Sequence, residues 1–581
     1  MEEVDLTIKN IEVFNSYLKR FITADVYILK NRIYYIDMKK SANLTAKKMI
    51  DGTGKYMIPG LVDIHMHIES SMMTPEPFCK RLASCGVTTI VAEPHEIANI
   101  KGIDGIKHMI EAGKQSMIDV YYGIPSSVPS TNEKLETTGG KIDFEDMKKL
   151  LQCENVICVG EIMNCRQIIK ENNLEITKLL KYLRKSRPNY VIEGHCPSLI
   201  DLDLAKYLYL GINGDHTEHS LEEIKQRFAN GMFVEIQEKM LKQEILNYII
   251  QNNLYEHCGF VTDDTMADKL YEYGHLNTIV KKAMELGFSK ENAVYCSTYT
   301  NARRMNLRDR GAIAPGKLAD FVLLNNIEKF DIISVYKDGK EIYNAERTIE
   351  YNKSSYVFPK EYYESVHIKP LSEKDFIIPV KENVHSVIVK VMQVVDGSTQ
   401  TKIKKVEMPV KNHELKWQES GCLLAMVLER HGKNGNIGFG FVTGDCINHG
   451  AAATTHSHDH HNLLVVGDSI QNMMIAIKRV IKLQGGIVTV ENGKVLEELQ
   501  LNVCGIMSDR SVKEIGLCVK RIRKSLEQLG YKHYNPIGSL CTLALPVSPA
   551  LKITDMGLID VKNGCIVPLY TPGVVPKAVL I

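Results

Sequence analysis

The chain has 581 residues, of which 44% are apolar and 24% are charged, and its formal net charge is +1. The composition is that of a globular protein with a large core. The near-zero net charge excludes a strongly basic protein that binds nucleic acid or an anionic membrane. No sequence window approaches the ~18 apolar residues of a transmembrane helix. Fourteen scattered cysteines without a CxxC pair indicate reduced thiols, and the acidic N-terminus lacks a signal-peptide pattern, so we expect a cytoplasmic protein.

Short strands dominate the two segments that flank the middle of the chain. Residues 25–29 and 32–36 alternate in polarity around a tight turn at Lys30 and Asn31, which is typical of a hairpin. Residues 316–360 have the same character. We therefore predict that residues 1–58 and 316–360 together form one small β-sandwich domain.

The middle, residues 59–315, alternates apolar strands with amphipathic helices such as 144–151 and 221–228. Eight such repeats over about 250 residues predict a (β/α)₈ TIM-like barrel. Periodicity alone does not separate this barrel from a doubly wound sheet. The eight strands are predicted to start near Val62, Val87, Val120, Val156, Tyr190, Ile212, Met232 and Gly259.

A third unit is predicted for residues 375–581, after a polar stretch at 360–374. It opens with an alternating strand at 386–391, and a helix continues from Ser469. We interpret it as a C-terminal α/β domain.

A His-x-His pair ends the first barrel strand, at His65 and His67. With 19 histidines, chance supplies such a pair, and others occur at His456, His458 and His460. The setting makes the first pair specific: period 2 places both imidazoles on one face, and catalytic groups of a barrel lie at the carboxyl ends of its strands.

Further ligand-type residues end later strands, namely Glu161, His195, His216 and Asp263. Each one alone fits a helix N-cap or a strand-end hydrogen bond. Together with His65 and His67, these residues lie in order at the ends of strands 1, 4, 5, 6 and 8, and this series predicts a metal site instead. Imidazole and carboxylate ligands suit manganese, iron or zinc, whose bound water becomes acidic enough for Asp263 to take its proton.

Several polar residues near these strand ends are second-shell or substrate-contact candidates. Glu69 fits either the mouth of the site or a structural ion pair, and we favour a second-shell role for His95 and Glu96. His275 fits an N-cap or packing role better than a ligand role. For the tract that contains His458, Asp459, His460 and His461 we prefer a substrate or interface loop over a separate metal site.

These residues resemble the amidohydrolase superfamily and, within it, the bacterial adenine deaminases, along essentially the whole chain. PGLVDIHMH at 59–67 is similar to the superfamily's first strand, and IESSMMTP at 68–75 resembles the more specific adenine-deaminase continuation. The other similar segments are PHEIAN at 94–99, GEIMN at 160–164, EGHCP at 193–197, TDD at 262–264, GH at 274–275, GAIAPGKLAD at 311–320, ERHGKNG at 429–435 and SHDHHN at 457–462.

The resemblance implies hydrolysis of adenine to hypoxanthine and ammonia by attack of a metal-bound hydroxide on C6, in purine salvage. It implies two divalent metals, with Mn²⁺ or Fe²⁺ favoured and Zn²⁺ as the alternative. His65, His67 and Asp263 would bind one metal, and His195 and His216 the other. Glu161 would bridge them, and Asp263 would also move the proton. Asp264, His458, Asp459 and His461 would contact substrate or support ligands. Water and a purine base are the expected partners. A homo-oligomer such as a dimer is a separate expectation, since long barrel enzymes with an added domain often self-associate.

The chain departs from the family pattern at positions that bear on the substrate. The family motif Asp-Pro-His-Glu begins in this chain with Glu93 in place of aspartate. The family motif Ser-Asp-His-Glu is Gly-Asp-His-Thr at 214–217, and the acid follows one place later as Glu218. The family motif Arg-Asn-Pro is Thr-Met-Ala at 265–267. Strand 7, at 234–238, lacks the family's arginine. A hydrolase of another cyclic amidine or amide is therefore a second hypothesis. A non-catalytic scaffold is a third, which the complete ligand set opposes.

Overall fold

The structure is a computed structural model that describes residues 3–171, 174–350 and 356–572. It divides into two compact units. The first comprises Met1–Pro94, Lys107–Ser127 and Asp143–Val357, and the second comprises His95–Ile106, Val128–Ile142 and Phe358–Ile581. The three domain boundaries drawn from the sequence stay a prediction.

The strands of the first unit, in chain order, are β1 (Glu3–Asn15), β2 (Arg20–Leu29), β3 (Arg32–Asp37), β4 (Thr45–Asp51), β5 (Tyr56–Pro59), β6 (Leu61–Met66), β7 (Val87–Ala92), β8 (Asp119–Pro125), β9 (Val156–Ile162), β10 (Val191–Gly194), β11 (Gly214–Asp215), β12 (Phe233–Ile236), β13 (Cys258–Phe260), β14 (Phe321–Asn326), β15 (Asp331–Lys337) and β16 (Lys340–Asn344).

The helices up to residue 304 are α1 (Pro75–Ser84), α2 (His95–Lys114), α3 (Phe144–Leu150), α4 (Cys165–Ile168), α5 (Glu175–Ser186), α6 (Asp201–Tyr209), α7 (Leu221–Ala229), α8 (Gln243–Gln251), α9 (Ala267–Glu272), α10 (Leu276–Glu285), α11 (Lys290–Ser297) and α12 (Tyr299–Arg304). The first turns of α2 belong to the second unit.

Strands β6 to β13 form a parallel eight-stranded sheet in sequence order, β13-β12-β11-β10-β9-β8-β7-β6. Its two edges meet: the Asp263 N–H donates to the His65 carbonyl at 3.1 Å, and the Asn301 amide donates to the carbonyls of Val62 and Phe260 at 2.7 and 2.8 Å. A doubly wound sheet has open edges, so the closure confirms the predicted barrel.

All eight predicted barrel strands are present, and β11 is the shortest. It begins two residues after the predicted Ile212, and a largely buried ion pair lies beside it. The Arg304 guanidinium donates to Glu193 at 2.7 Å and to the Asn213 side chain at 2.8 Å. A Cβ on Gly214 would lie 1.6 Å from a Glu193 carboxylate oxygen, so the strand needs glycine there.

The strands that flank the barrel sequence pair with each other in a second sheet, β16-β15-β14-β5-β1-β2-β3, with β4 on β1. Strand β14 runs antiparallel to β5 and joins the two segments, as the sequence predicts. Alternating buried residues such as Ile8, Val26 and Phe321 form the core of this sheet. The sheet thus anchors both ends of the barrel sequence.

The second unit contains α13 (Lys360–Tyr363), β17 (Ser386–Val394), β18 (Thr401–Lys411), β19 (Glu414–Leu415), β20 (Leu423–Leu428), β21 (Ile437–Gly444), β22 (Ala451–Thr454), β23 (Leu463–Gly467), α14 (Ile470–Leu483), β24 (Gly486–Glu491), β25 (Lys494–Gln500), α15 (Val512–Gln528), α16 (Pro536–Cys541), β26 (Leu551–Thr554), β27 (Gly557–Asp560), β28 (Cys565–Val567) and β29 (Tyr570–Pro572).

Its main sheet has the order β19-β18-β17-β21-β20-β23-β22-β24-β25, with β29 beside β17, and β26 to β28 form a small separate sheet. Helix α14 packs on the main sheet and buries Met473, Ile477 and Val480, and the Ser469 hydroxyl caps its first turn. The predicted C-terminal α/β domain is therefore confirmed. Among the described residues, no helix has the length and apolarity to cross a membrane.

Candidate metal centre

The six predicted metal ligands all lie at the carboxyl end of the barrel. The strands are parallel, so their carboxyl ends meet at one rim. His65 lies in β6 and His67 just after it, Glu161 lies near the end of β9, His195 and His216 directly follow β10 and β11, and Asp263 follows β13.

The first half of the cluster is built from His65, His67 and Asp263. His67 Nδ1 lies 2.9 Å from the Glu93 main-chain carbonyl, which only accepts, so Nδ1 carries the proton and leaves Nε2 as a ligand atom. Asp263 Oδ1 lies 3.7 Å from that Nε2 and 3.9 Å from His65 Nε2. Asp263 Oδ1 therefore lies within 4 Å of a ring nitrogen of each histidine, and His65 and His67 fall into separate groups of mutually close ligand atoms that share Asp263.

Glu161 joins this half to the second one. Its Oε1 lies 3.6 Å from His67 Nε2, while its Oε2 lies 2.6 Å from His195 Nδ1 and 3.1 Å from His216 Nε2. The two oxygens of one carboxylate thus face two sets of imidazoles. This is the arrangement that a bridging carboxylate needs.

The donor set fits divalent metal ions. Within the first unit, potential ligand atoms within 4.8 Å of one another form three groups that share members: His65–His216–Asp263, Glu161–His195–His216 and His67–Asp263–Asp264. The buried Nε2 of His65 has no hydrogen-bond partner in the described part of the chain. A buried nitrogen of this kind needs a partner, and a metal ion would satisfy it.

The negative charge of Glu161 and the positive charge of His216 stabilise each other. Burial raises the pKa of Glu161, but His195 and His216 outweigh it and hold that pKa well below its usual range. Burial lowers the pKa of His216, yet the Glu161 charge raises it overall to about 10. Burial holds the pKa of His65 well below its usual range. Metal binding would have to displace the His216 proton, so metal affinity should rise with pH.

One side of the cluster is open. The side chain of His195 is 33% exposed and that of Asp263 is 15% exposed, whereas His65, His67, Glu161 and His216 are buried. The cluster is therefore exposed to solvent at His195 and, to a smaller extent, at Asp263. The surrounding buried groups limit its contact with water.

A buried ion pair orients two of the ligand-bearing segments. Asp215 Oδ2 accepts from Arg227 Nε at 2.9 Å and contacts His219 Nε2 at 2.5 Å. Asp215 Oδ1 accepts the N–H groups of Cys196 and Thr217, each at 3.2 Å. These two residues directly follow His195 and His216, so the carboxylate fixes the ends of β10 and β11 together.

Arg227→Met should strongly destabilise the first unit, because it leaves Asp215 buried without its guanidinium. Loss of one partner of a buried pair costs about 3 kcal/mol or more. Urea denaturation followed by circular dichroism measures the change. The matched control is Lys206→Met, which removes an exposed pair with Asp203 at 2.9 Å and should cost under about 1 kcal/mol. Equal midpoints for the two variants would contradict this role for Arg227.

Sequence reasoning did not single out Gln237, which follows β12. Its amide nitrogen lies 3.1 Å from Asp263 Oδ2 and 2.9 Å from the His216 carbonyl, so it positions two candidate ligands. In the family pattern an acid directly follows the histidine, whereas here Thr217 occupies that position and its hydroxyl donates to Asp215. The acid one place later, Glu218, points to solvent and pairs with Lys242 at 2.8 Å.

The remaining predicted residues of the first unit take distinct positions. His275 is the buried N-cap of α10, with Nε2 3.1 Å from the Thr262 hydroxyl, as its predicted N-cap or packing role requires. Glu69 is buried in a short 3₁₀ turn at Glu69–Ser71. Asp264 is exposed and accepts a hydrogen bond from Ser70, a residue that the sequence did not single out.

The predicted second-shell residues of the second unit also come together. Glu96 Oε1 lies 2.9 Å from His458 Nδ1, and Glu96 Oε2 lies 2.7 Å from His461 Nε2. His95 Nε2 lies 3.9 Å from Asp459 Oδ1. Their predicted contact with substrate or metal ligands stays a prediction.

Comparison with known proteins agrees with the fold. Residues 56–342 match the amidohydrolase family, and residues 398–565 match the adenine deaminase C-terminal domain. The chain is 47% identical to an adenine deaminase of Clostridium perfringens over 98% of this chain and 100% of the relative. It is 48% identical to adenine deaminase 2 of Shouchella clausii over 98% and 99%, and 35% identical to an adenine deaminase of Thermosipho melanesiensis over 97% of each.

Proposed function

The chain belongs to the adenine deaminase family of amidohydrolases, and we propose that it hydrolyses adenine to hypoxanthine and ammonia at the barrel cluster. The convergence of six ligand-type side chains at the open rim carries this proposal. The substitutions near His216 leave that convergence intact, because Thr217 is buried below it and Glu218 lies in solvent. Identity to the adenine deaminases along the full chain supports adenine over another cyclic amidine or amide.

The family and the clustered ligand atoms indicate a divalent metal. We propose two ions per chain, of manganese or iron in preference to zinc. His65, His67 and Asp263 would hold one, and His195 and His216 the other, with Glu161 between them. The separate positions of the two Glu161 oxygens support this assignment.

Bound metal would supply the nucleophile, since a divalent ion lowers the pKa of water from 15.7 to roughly 7. Asp263 would take the proton of the attacking water on Oδ2, the oxygen that Gln237 contacts at 3.1 Å. It would then give that proton to the amino group on C6. The C6–N bond breaks, ammonia leaves, and the added oxygen stays on hypoxanthine.

The open side of the cluster would receive adenine. We propose that Glu69, Asp264, His95, Glu96, His458, Asp459 and His461 contact substrate or support the ligands. All fourteen cysteines are free thiols, which supports the expected cytoplasmic location. The dimer expected from the sequence stays a prediction.

Ammonia release tests the proposal. The protein is purified under reducing conditions, loaded with Mn²⁺ or Fe²⁺, and supplied separately with adenine, guanine, cytosine and a cyclic amide. We expect ammonia from adenine and loss of that activity after chelation. Stoichiometric metal binding with turnover of another compound, and none of adenine, would overturn the assignment of substrate.

A further inference from the structure

A second group of ligand-type side chains lies inside the second unit, which we name the histidine cluster: Glu96, His456, His458 and His461. Glu96 comes from the first turn of α2, and the three histidines come from the segment between β22 and β23. Glu96, His456 and His461 are almost completely buried, while the side chain of His458 is 16% exposed. None of the four belongs to the barrel ligand set, and a metal ion here would take the place of the substrate or supporting role proposed above for Glu96, His458 and His461.

We propose that the histidine cluster binds one divalent metal ion, separate from those in the barrel. Ligand atoms of Glu96, His456 and His461 all lie within 4.8 Å of one another. Two imidazoles and a carboxylate are a ligand set that Zn²⁺ favours, with a fourth position filled by water or a further imidazole. His458, whose ring centroid lies 5.0 Å from that of His456, is placed to be that fourth ligand.

The distances require only small adjustments for metal binding. Glu96 Oε2 and His461 Nε2 are 2.7 Å apart, whereas two ligands of a tetrahedral Zn²⁺ at 2.0–2.1 Å are separated by about 3.3 Å. A displacement of either side chain by less than about 1 Å would widen the Glu96–His461 separation to this tetrahedral value.

The segment that carries the three histidines is held rigidly, as a metal site requires. The Arg430 guanidinium donates to the His461 carbonyl, to the Ser365 carbonyl at 2.8 Å and to the Cys504 carbonyl at 2.9 Å. The His461 N–H donates to the Ser457 carbonyl at 2.8 Å. Because Arg430 itself is completely buried, these bonds are shielded from water.

Metal content measured on the full-length protein tests this inference. The protein is stripped with a chelator, titrated with Co²⁺ or Zn²⁺, freed of excess ion and analysed by mass spectrometry. His456→Ala and His461→Ala should each bind about one equivalent less than the wild type. The control is His449→Ala, which breaks a partly exposed pair with Glu491 at 2.9 Å in the same unit and should bind as much as the wild type.

A barrel variant separates this inference from the proposed function. His65→Ala/His67→Ala should lose barrel metal, yet retain an equivalent that disappears when His461→Ala is added. Circular dichroism of each stripped protein shows whether it is folded, and Co²⁺ absorption gives a second readout that needs no turnover. Metal content unchanged by both His456→Ala and His461→Ala, in folded protein, would overturn the proposal whether or not adenine is deaminated.

Discussion

Asp263→Asn is expected to lower kcat/KM for adenine by about 10³-fold or more, since an amide cannot take a proton from the attacking water. Asp263 Oδ1 faces His65 and His67, so the variant should also bind the first metal less tightly. Ammonia release at saturating metal separates the two effects: weaker binding is overcome by added metal, whereas lost proton transfer is not.

The matched control is Asp203→Asn on α6. That carboxylate is half exposed and pairs with Lys206, and neither residue belongs to the proposed ligand set. It should leave kcat/KM within about twofold, since surface pairs contribute little. If Asp263→Asn kept more than a tenth of the wild-type activity at saturating metal, its role in proton transfer would be refuted.

Glu161→Gln is expected to remove at least one of the two proposed metals and to lower kcat by about 10³-fold. The amide has no negative charge to share between two cations, and loss of one preorganised electrostatic stabiliser costs about 10²–10³ in kcat. The bound metal should fall by about one equivalent or more. Both quantities are measured on the same preparation.

Glu145→Gln on α3 is the control for that charge change. Its carboxylate is exposed and lies 3.1 Å from Lys148, so metal content and kcat should match the wild type. Normal metal content in Glu161→Gln would show that Glu161 does not bridge. Normal content together with normal turnover would contradict any role of this carboxylate in the centre.

Sequence alone predicted the barrel and the convergence of the six barrel residues because both follow from local patterns. Parallel strands bring their carboxyl ends to one rim, so residues at strand ends become neighbours even when they are far apart in the chain. His65 and Asp263 illustrate this, since main-chain bonds at the barrel closure place them side by side. The roles of the six residues as ligands and proton carrier stay predictions.

Other features depend on contacts that no local pattern records. Gln237 is a neutral residue, so a search for acids and histidines passes over it, although its position after β12 is a usable signal. Arg227 lies on the predicted helix α7 and looks like a surface charge, yet it is buried against Asp215. Strand β11 starts two residues later than predicted, and the Arg304–Glu193 pair beside it joins segments that are distant in the sequence.

The measurement that tests the central claim most directly is anomalous diffraction from crystals of the Mn²⁺-loaded protein that deaminate adenine. The account predicts two peaks at the barrel rim, at about 2.0–2.3 Å from their ligand atoms: one at His65, His67 and Asp263, the other at His195 and His216, with Glu161 touching both. In crystals that turn over adenine, a rim with no peak, or with one peak that Glu161 does not contact, would contradict it.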